Sequence, residues 1–156
     1  FIKEVLIIRV DKINYYLNIA EEVAKRSTCL KTWYGSVAVL DDRIVSTGYN
    51  GAVRGVPNCC DIGKCLRKEL NIPSGTQYEL CRSLHSEQNC IINAKTDLSG
   101  ATMYLVGIDA DTGKLKFDSE SCLLCRRFMR NANIEKVVIR RSPIEYEIQY
   151  VKDWEL

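Results

Sequence analysis

The chain has 156 residues, a length typical of one domain that buries its own hydrophobic core. Hydrophobic residues make up 46% of it and charged residues 27%, which excludes disordered, collagen-like and coiled-coil proteins. The formal net charge of +2 is too small to predict a nucleic-acid or acidic-membrane surface. The sequence predicts neither an export signal nor a membrane span, so the eight cysteines favour metal binding or catalysis in a cytoplasmic protein.

The first half of the chain predicts a helix, a hairpin and a long loop. Apolar residues recur at three- and four-residue steps over residues 11–27, which predicts an amphipathic helix. Residues 37–49 are rich in β-branched side chains on either side of the Asp41-Asp42 turn and predict two paired strands. The stretch 50–82 contains glycines, prolines and four cysteines. It predicts an irregular functional loop with one short helix near residues 64–70.

Helices and strands alternate in the second half, which indicates an α/β sandwich. In chain order the predicted elements are a helix at 85–94, a strand at 102–108, a helix at 122–131, a strand at 136–140 and an edge strand near 146–150. Leu115 and Phe117 follow a predicted turn and form a candidate short strand. We expect a single domain over residues 1–156, with its core at about 12–140; the first ten residues contribute little to this expectation.

One constellation carries recognisable chemistry. His85 is the only histidine, Glu87 follows it by two residues, and Cys122 and Cys125 form a C-x-x-C pair at the start of a predicted helix. One imidazole nitrogen and two thiolates occupy three corners of a tetrahedral zinc site and leave the fourth for water, as catalytic zinc requires. A carboxylate beside that site can accept a proton from water and return it to a leaving group. This H-x-E and C-x-x-C pattern is the signature of zinc nucleobase deaminases.

Further motifs extend the pattern through most of the chain. They are, in order, Ala24-Lys-Arg-Ser-Thr-Cys29, Gly35-Ser-Val-Ala-Val39, Gly48-Tyr-Asn-Gly51, Arg54-Gly-Val-Pro-Asn-Cys-Cys60 and His85-Ser-Glu-Gln-Asn89. Together they resemble the cytidine and deoxycytidylate deaminase family, and within it the deoxycytidylate deaminase branch, over residues 12–140. The resemblance implies a three-layer α/β/α sandwich with a five-stranded mixed sheet, a zinc cofactor and a homo-oligomer.

The resemblance also implies an activity and the residues that perform it. The expected reaction is hydrolytic deamination of deoxycytidylate (dCMP) to deoxyuridylate with release of ammonia, a step of pyrimidine nucleotide metabolism. His85, Cys122 and Cys125 would bind zinc, Glu87 would move protons, and Asn50 would hydrogen-bond the sugar. The loop from Gly48 to Arg54 would lie near the sugar and phosphate. A guanidinium binds phosphate with two hydrogen bonds, and the candidates are Arg54, Arg67, Arg82, Arg126 and Arg127. We single out Arg54 for its place in this glycine-rich loop. No nucleic-acid or membrane partner is expected.

The remaining cysteines leave two alternatives open. A loop poor in apolar residues is stabilised by a bound metal, which favours a second, structural zinc held by sulfur alone. The alternative is a set of free or buried thiols. If the zinc is bound, the expected ligands are Cys29, Cys65 and Cys81 together with either Cys59 or Cys60. Cys90 lies in an apolar helical stretch and is expected in the core.

The chain departs from the family pattern in ways that leave the substrate open. Ser86 replaces the usual alanine between the histidine and the glutamate, and Ser121 replaces the usual proline before the first zinc cysteine. Residues 109–120 resemble an insertion close to the expected substrate rim. A deaminase of another cytosine nucleoside or amino-heterocycle therefore stands as an alternative. A non-catalytic binding module with purely structural zinc is another, although it leaves Glu87 without a role.

Overall fold

The structure is a computed structural model that describes residues 8–156. Its helices are α1 Lys12–Ala24, α2 Cys59–Ile62, α3 Leu66–Glu69, α4 Ser86–Asn93 and α5 Leu123–Asn131, with short 3-10 helices at Tyr78–Leu80 and Val151–Asp153. Its strands are β1 Thr32–Leu40, β2 Arg43–Tyr49, β3 Gly51–Ala52, β4 Ser83–Leu84, β5 Thr102–Asp109, β6 Lys136–Arg140 and β7 Tyr146–Tyr150. Within the described part, no helix is long and apolar enough to span a membrane.

Five strands form one mixed sheet in the order β2-β1-β5-β6-β7. The β5–β6 pair is parallel, and the other three pairs are antiparallel. One layer of buried side chains joins α1 to the sheet and includes Leu17, Val37 and Val106. A second layer, which includes Ala38 and Leu105, packs against α4 and α5 on the opposite face. The predicted three-layer α/β/α sandwich is therefore confirmed.

Local chemistry explains where the first elements begin and turn. The Asp11 side chain accepts a hydrogen bond from the backbone N–H of Asn14 and caps α1, which starts one residue later than predicted. Asp41 and Asp42 have φ of 50° and 60°, the conformation that a two-residue hairpin turn requires. The first strand is longer than its β-branched residues indicated, because it begins at Thr32.

A buried arginine ties α1 to the end of β6. Arg140 is 2% exposed, and its guanidinium donates to the Glu21 carboxylate at 2.9 Å and to the Asn18 side chain at 2.8 Å. It also donates to the backbone and side-chain oxygens of Asn14. Burying a charge is tolerated when it is paired and hydrogen-bonded in this way. The contact fixes the helix across the sheet.

The segment from residue 50 to residue 82 is only partly irregular. It contains α2, α3, the 3-10 helix Tyr78–Leu80 and β3, which pairs with β4 just after the segment; of these the sequence predicted only the short helix near residues 64–70. Arg67 closes the second half of this segment by donating to the backbone oxygens of Pro73 and Gln77 at 3.0 Å and 2.7 Å. The Leu115 strand is reduced to one antiparallel bridge with Ile108.

Candidate active site

Two helix N-termini meet on one face of the sheet and carry the three predicted zinc ligands. His85 is the N-cap residue of α4, and Cys122 is the N-cap residue of α5. Cys125 lies in the first turn of α5, where its backbone N–H donates to the Cys122 sulfur at 3.4 Å. Unpaired N–H groups and the helix dipole favour negative charge at such an end. The position therefore suits thiolate ligands.

The spacing of the three ligand atoms fits zinc. His85 Nδ1 lies 3.5 Å from Cys122 Sγ and 3.2 Å from Cys125 Sγ. In a tetrahedral zinc site, bond lengths of about 2.1 and 2.3 Å place a nitrogen and a sulfur ligand about 3.6 Å apart. All three ligand atoms lie within 4.8 Å of one another, and no other group of three His, Cys, Asp or Glu residues in the described chain does so. The donor set and its dimensions match an open zinc site.

A hydrogen bond between the two cysteines of this site shifts their pKa values in opposite directions. The Cys125 thiol donates a hydrogen bond to the Cys122 sulfur and His85 supports it, which lowers the pKa of Cys122 to about 4. The pKa of Cys125 is raised, first because it is that donor and then because it is buried. The contact with Cys122 raises the pKa of His85. Zinc binds only deprotonated ligands, so it would displace the protons that these groups share.

Glu87 lies in the first turn of α4 and is 5% exposed. Its Oε2 accepts a hydrogen bond from the Ser86 hydroxyl at 3.1 Å, and that hydroxyl lies 2.8 Å from the hydroxyl of Ser36 on β1. The carboxylate lines the same cavity as His85 and Cys122. A carboxylate held beside three metal ligands in this way can move protons at a reacting atom.

The cavity in front of these residues has a volume of about 530 Å³ and is partly open. This volume lies within the range usual for small-molecule sites. Its wall contains aromatic, amide and cationic side chains beyond the predicted ligands. They are Tyr34, Tyr78, Asn50, Lys31, Arg67, Lys68 and Lys116.

Two contacts of the wall were not predicted. The Tyr78 ring stands edge-on to the His85 imidazole with centroids 4.9 Å apart, and the Arg67 guanidinium lies 5.1 Å from the Tyr78 centroid. Lys116 comes from the predicted insertion, so that segment contributes directly to the cavity. No local motif marks the contacts of Tyr78 or the position of Lys116, because both depend on how a loop folds back toward the site.

The two predicted substrate residues have different surroundings. Asn50 lines the cavity, but its amide donates to the Thr32 carbonyl at 2.9 Å and accepts from the Tyr34 N–H at 2.8 Å. Arg54 does not line the cavity; it is exposed and donates to the Asn93 side chain on α4 at 3.1 Å. The cavity instead takes its positive charge from the lysines and from Arg67.

The five cysteines of the predicted second site are not gathered like the first three ligands. Cys59 is buried and Cys60 is exposed. Burial raises the pKa of Cys59, and the nearby charges of Cys29, Cys65 and Cys81 raise it further. Burial therefore distinguishes between the two adjacent cysteines. Cys90 is fully buried in the core, as the sequence predicted.

The comparisons with known proteins agree with this geometry. Residues 10–141 match the family model described as the cytidine and deoxycytidylate deaminase zinc-binding region. The chain belongs to this family. Within it, the chain is 32% identical over 136 residues to the deoxycytidylate deaminase of a Mycobacterium phage, covering 83% of this chain and 94% of that protein. The family model describes a zinc-binding region, which agrees with the ligand group formed by His85, Cys122 and Cys125 in this chain.

Other members of the family differ from this chain in length. The deoxycytidylate deaminase of Schizosaccharomyces pombe is 32% identical over 129 residues, covering 83% of this chain, but the match spans only 37% of the yeast protein. Among solved structures, the apo dCMP deaminase of cyanophage S-TIM5 superposes with a TM-score of 0.60 at 20% identity, covering 85% of each chain. That likeness supports the fold.

Proposed function

We propose that this protein is a zinc-dependent hydrolase that deaminates dCMP to deoxyuridylate and ammonia. The observation that carries the proposal is the open His85, Cys122 and Cys125 ligand group with the buried carboxylate of Glu87 beside it in one cavity. A purely structural zinc site needs a fourth protein ligand, and the described chain offers none within the same group. Two of its relatives are named deoxycytidylate deaminase, which supports dCMP rather than another amino-heterocycle as the proposed substrate.

The chain's own residues then divide the work. His85, Cys122 and Cys125 would hold the zinc, which when bound supplies a Lewis acid that lowers the pKa of a water to about 7. Glu87 takes a proton from the attacking water and delivers it to N3 of the cytosine. It next moves the proton of the new C4 hydroxyl to the amino group, which leaves as ammonia while the C4 carbonyl forms. One water is consumed, and Glu87 ends in its initial state.

Replacing Glu87 tests the proposal directly. Glu87→Gln keeps the size of the side chain and removes its ability to exchange protons, so kcat on dCMP should fall at least a thousandfold while the zinc content stays at the wild-type level. Glu22→Gln, an exposed carboxylate on α1, is the control. The assay follows ultraviolet absorbance with dCMP and deoxycytidine at equal concentration. Near wild-type turnover by Glu87→Gln would remove it from the mechanism, and an inactive wild-type protein would favour the binding module.

We propose further that a cationic side chain lining the cavity binds the phosphate of the nucleotide. Lys116 lines the cavity and pairs with Asp118 at 3.0 Å, whereas Arg54 lies on the outer surface. Lys116→Ala should raise KM for dCMP more than for deoxycytidine, because only the nucleotide loses an ionic contact. Arg54→Ala should change both KM values alike. A rise specific to dCMP in Arg54→Ala alone would return the phosphate to Arg54, as the sequence predicted.

A second, structural zinc remains part of the proposal, with Cys29, Cys59, Cys65 and Cys81 as ligands. Its support is that Cys29, Cys65 and Cys81 line one cavity and lie near enough to raise the pKa of the buried Cys59, whereas Cys60 is exposed. Metal analysis should find two zinc ions per wild-type chain and one in Cys65→Ser, because tetrahedral sites lose affinity steeply with a lost thiolate. Cys60→Ser, the adjacent control, should keep two. One ion in the wild-type protein would leave these cysteines as free thiols.

The cellular setting is proposed on similar grounds. All eight cysteines are unpaired, which is consistent with a reducing cytoplasm. Exposed apolar side chains on α4 and α5, among them Ile92, Leu124 and Phe128, favour a homo-oligomer, which light scattering coupled to gel filtration would test. We propose one domain over residues 1–156, a small-molecule nucleotide as the partner and no nucleic-acid partner, given the net charge of +2.

A further inference from the structure

Two buried hydroxyls connect the sheet to the carboxylate of Glu87. Ser36 on β1 and Ser86 on α4 are both fully buried, and their oxygens lie 2.8 Å apart. The Ser86 oxygen lies 3.1 Å from Glu87 Oε2. Ser36 precedes Ser86 by 50 residues, and the three side chains form one unbroken chain of hydrogen bonds in the interface between β1 and α4.

Counting protons gives this chain a direction. A serine hydroxyl has one proton to donate and two lone pairs with which it can accept. When Glu87 is ionised, its Oε2 only accepts, so the Ser86 proton is committed to it. The contact between the serines must then use the Ser36 proton, with Ser86 as the acceptor. Aligned hydroxyls polarise each other, and the second therefore strengthens the donation of the first to the carboxylate.

We propose that Ser86, supported by Ser36, is a positioning residue that fixes Glu87 for proton transfer. By holding Oε2 on the protein side, Ser86 leaves Oε1 as the oxygen that exchanges protons with substrate and water. A long glutamate side chain has several rotamers, and restricting them before the reaction lowers the cost of reaching the transition state. This inference rests on the proposed function, because it assigns Ser86 a role in that reaction.

A packing role alone gives these hydroxyls no function. Alanine has nearly the same size as serine and carries no polar group that must be satisfied in a buried interface. The family resemblance also places alanine at the Ser86 position. The serine pair thus adds hydrogen bonds to the carboxylate that the mechanism uses. An experiment can separate their effect on kcat from their effect on stability.

The test compares two buried serines at the same interface between the sheet and α4. Ser86→Ala should lower kcat on dCMP about tenfold with KM and zinc content unchanged, because the position of the Glu87 carboxylate matters for proton transfer in the transition state and not for binding substrate or metal. Ser46→Ala is the matched control, since the Ser46 hydroxyl donates to the Cys90 carbonyl of α4 and does not touch Glu87. It should lose stability and keep kcat.

A binding measurement without turnover supplies the second readout. The probe is a deoxyuridine 5′-phosphate analogue whose ring carries a hydroxyl on a tetrahedral C4, measured by calorimetry. Ser86→Ala should bind it about tenfold more weakly than the wild-type protein, because such a molecule resembles the transition state. In the catalytically silent Glu87→Gln background, the Ser86→Ala change should leave the affinity for dCMP itself unchanged.

Ser36 gives the decisive arm. Ser36→Ala should lower kcat less than Ser86→Ala, and in the Ser86→Ala background it should lower kcat no further, because Ser36 acts only through Ser86. Ser86→Ala alone leaves the Ser36 hydroxyl buried without its partner, which lowers the melting temperature. The double variant removes that hydroxyl and should therefore regain part of the loss. Unchanged kcat and analogue affinity in Ser86→Ala would overturn the inference. A wild-type protein inactive on dCMP would instead overturn the proposed function.

Discussion

At the scale of single residues, the side chain of Asn50 has two candidate roles. It lines the cavity, yet both ends of its amide are engaged with the protein: the nitrogen with the Thr32 carbonyl, and the oxygen with the Tyr34 N–H and, at 2.6 Å, the Ser27 hydroxyl. Contact with a sugar would have to share these bonds. The geometry therefore assigns Asn50 to the frame of the cavity as well as to its lining.

Asn50→Asp separates these roles. The variant keeps the size and the accepting oxygen but turns an oxygen toward the Thr32 carbonyl, so we expect the free energy of unfolding to fall by about 1–3 kcal/mol. Urea denaturation measures it. The control is Asn93→Asp, where the amide also donates to a backbone carbonyl, that of Thr47, but is exposed; a loss below about 0.5 kcal/mol is expected. A rise in KM without loss of stability would make Asn50 a substrate contact only.

At the scale of elements, the site depends on how closely α4 approaches β2. A Cβ built on Gly48 would lie 2.3 Å from the Cys90 nitrogen and 2.4 Å from the Ser86 oxygen, both backbone atoms of α4. Gly35 has the same relation to α1, where a Cβ would lie 2.1 Å from the Ala20 oxygen. Because real Cβ atoms do not come this close to backbone, either helix would have to move away from the sheet.

Because the two glycines have the same relation to different helices, each serves as the control for the other. Gly48→Ala and Gly35→Ala should each lower the free energy of unfolding by about 1–3 kcal/mol or more through overpacking. Only Gly48→Ala should also lower kcat in the folded protein and weaken zinc binding, because α4 carries His85 and Glu87 whereas α1 carries no site residue. Circular dichroism would confirm that each variant folds, and competition with a chelator would report zinc affinity. Equal loss of activity in both variants would contradict the prediction.

The sequence predicted those parts of the fold that local chemistry determines. Helix α1 follows from its apolar spacing and the hairpin from the Asp41-Asp42 turn. The site pattern is recognisable because Glu87 follows His85 by two residues and Cys125 follows Cys122 by three. The partner of Ser86 was not predictable, since Ser36 reaches it only after β1 packs against α4. The surroundings of Arg54 show the same limit: the sequence places it in a glycine-rich loop, and only the fold shows that its guanidinium donates to Asn93.

At the scale of the whole molecule, the helices on the two faces of the sheet are held by different interactions. The candidate zinc ligands all lie at the N-termini of α4 and α5 on one face. On the other face, α1 is held by its own apolar layer and by Arg140. Ligands that bind only the folded state stabilise the elements they connect. Zinc should therefore stabilise one layer of the sandwich more than the other.

Amide hydrogen exchange with and without a zinc chelator tests this asymmetry. Removing the metal should speed exchange in α4 and α5, because His85 on one helix and the two cysteines of the other then no longer share a cation, and in the segment 50–82, which would lose the proposed second zinc. Amides of α1 and of the β1–β2 hairpin should keep their protection. The Cys60→Ser variant should give the same pattern, since Cys60 is exposed and outside the ligand group. A uniform loss of protection along the chain would show instead that zinc supports global stability, with both layers unfolding together.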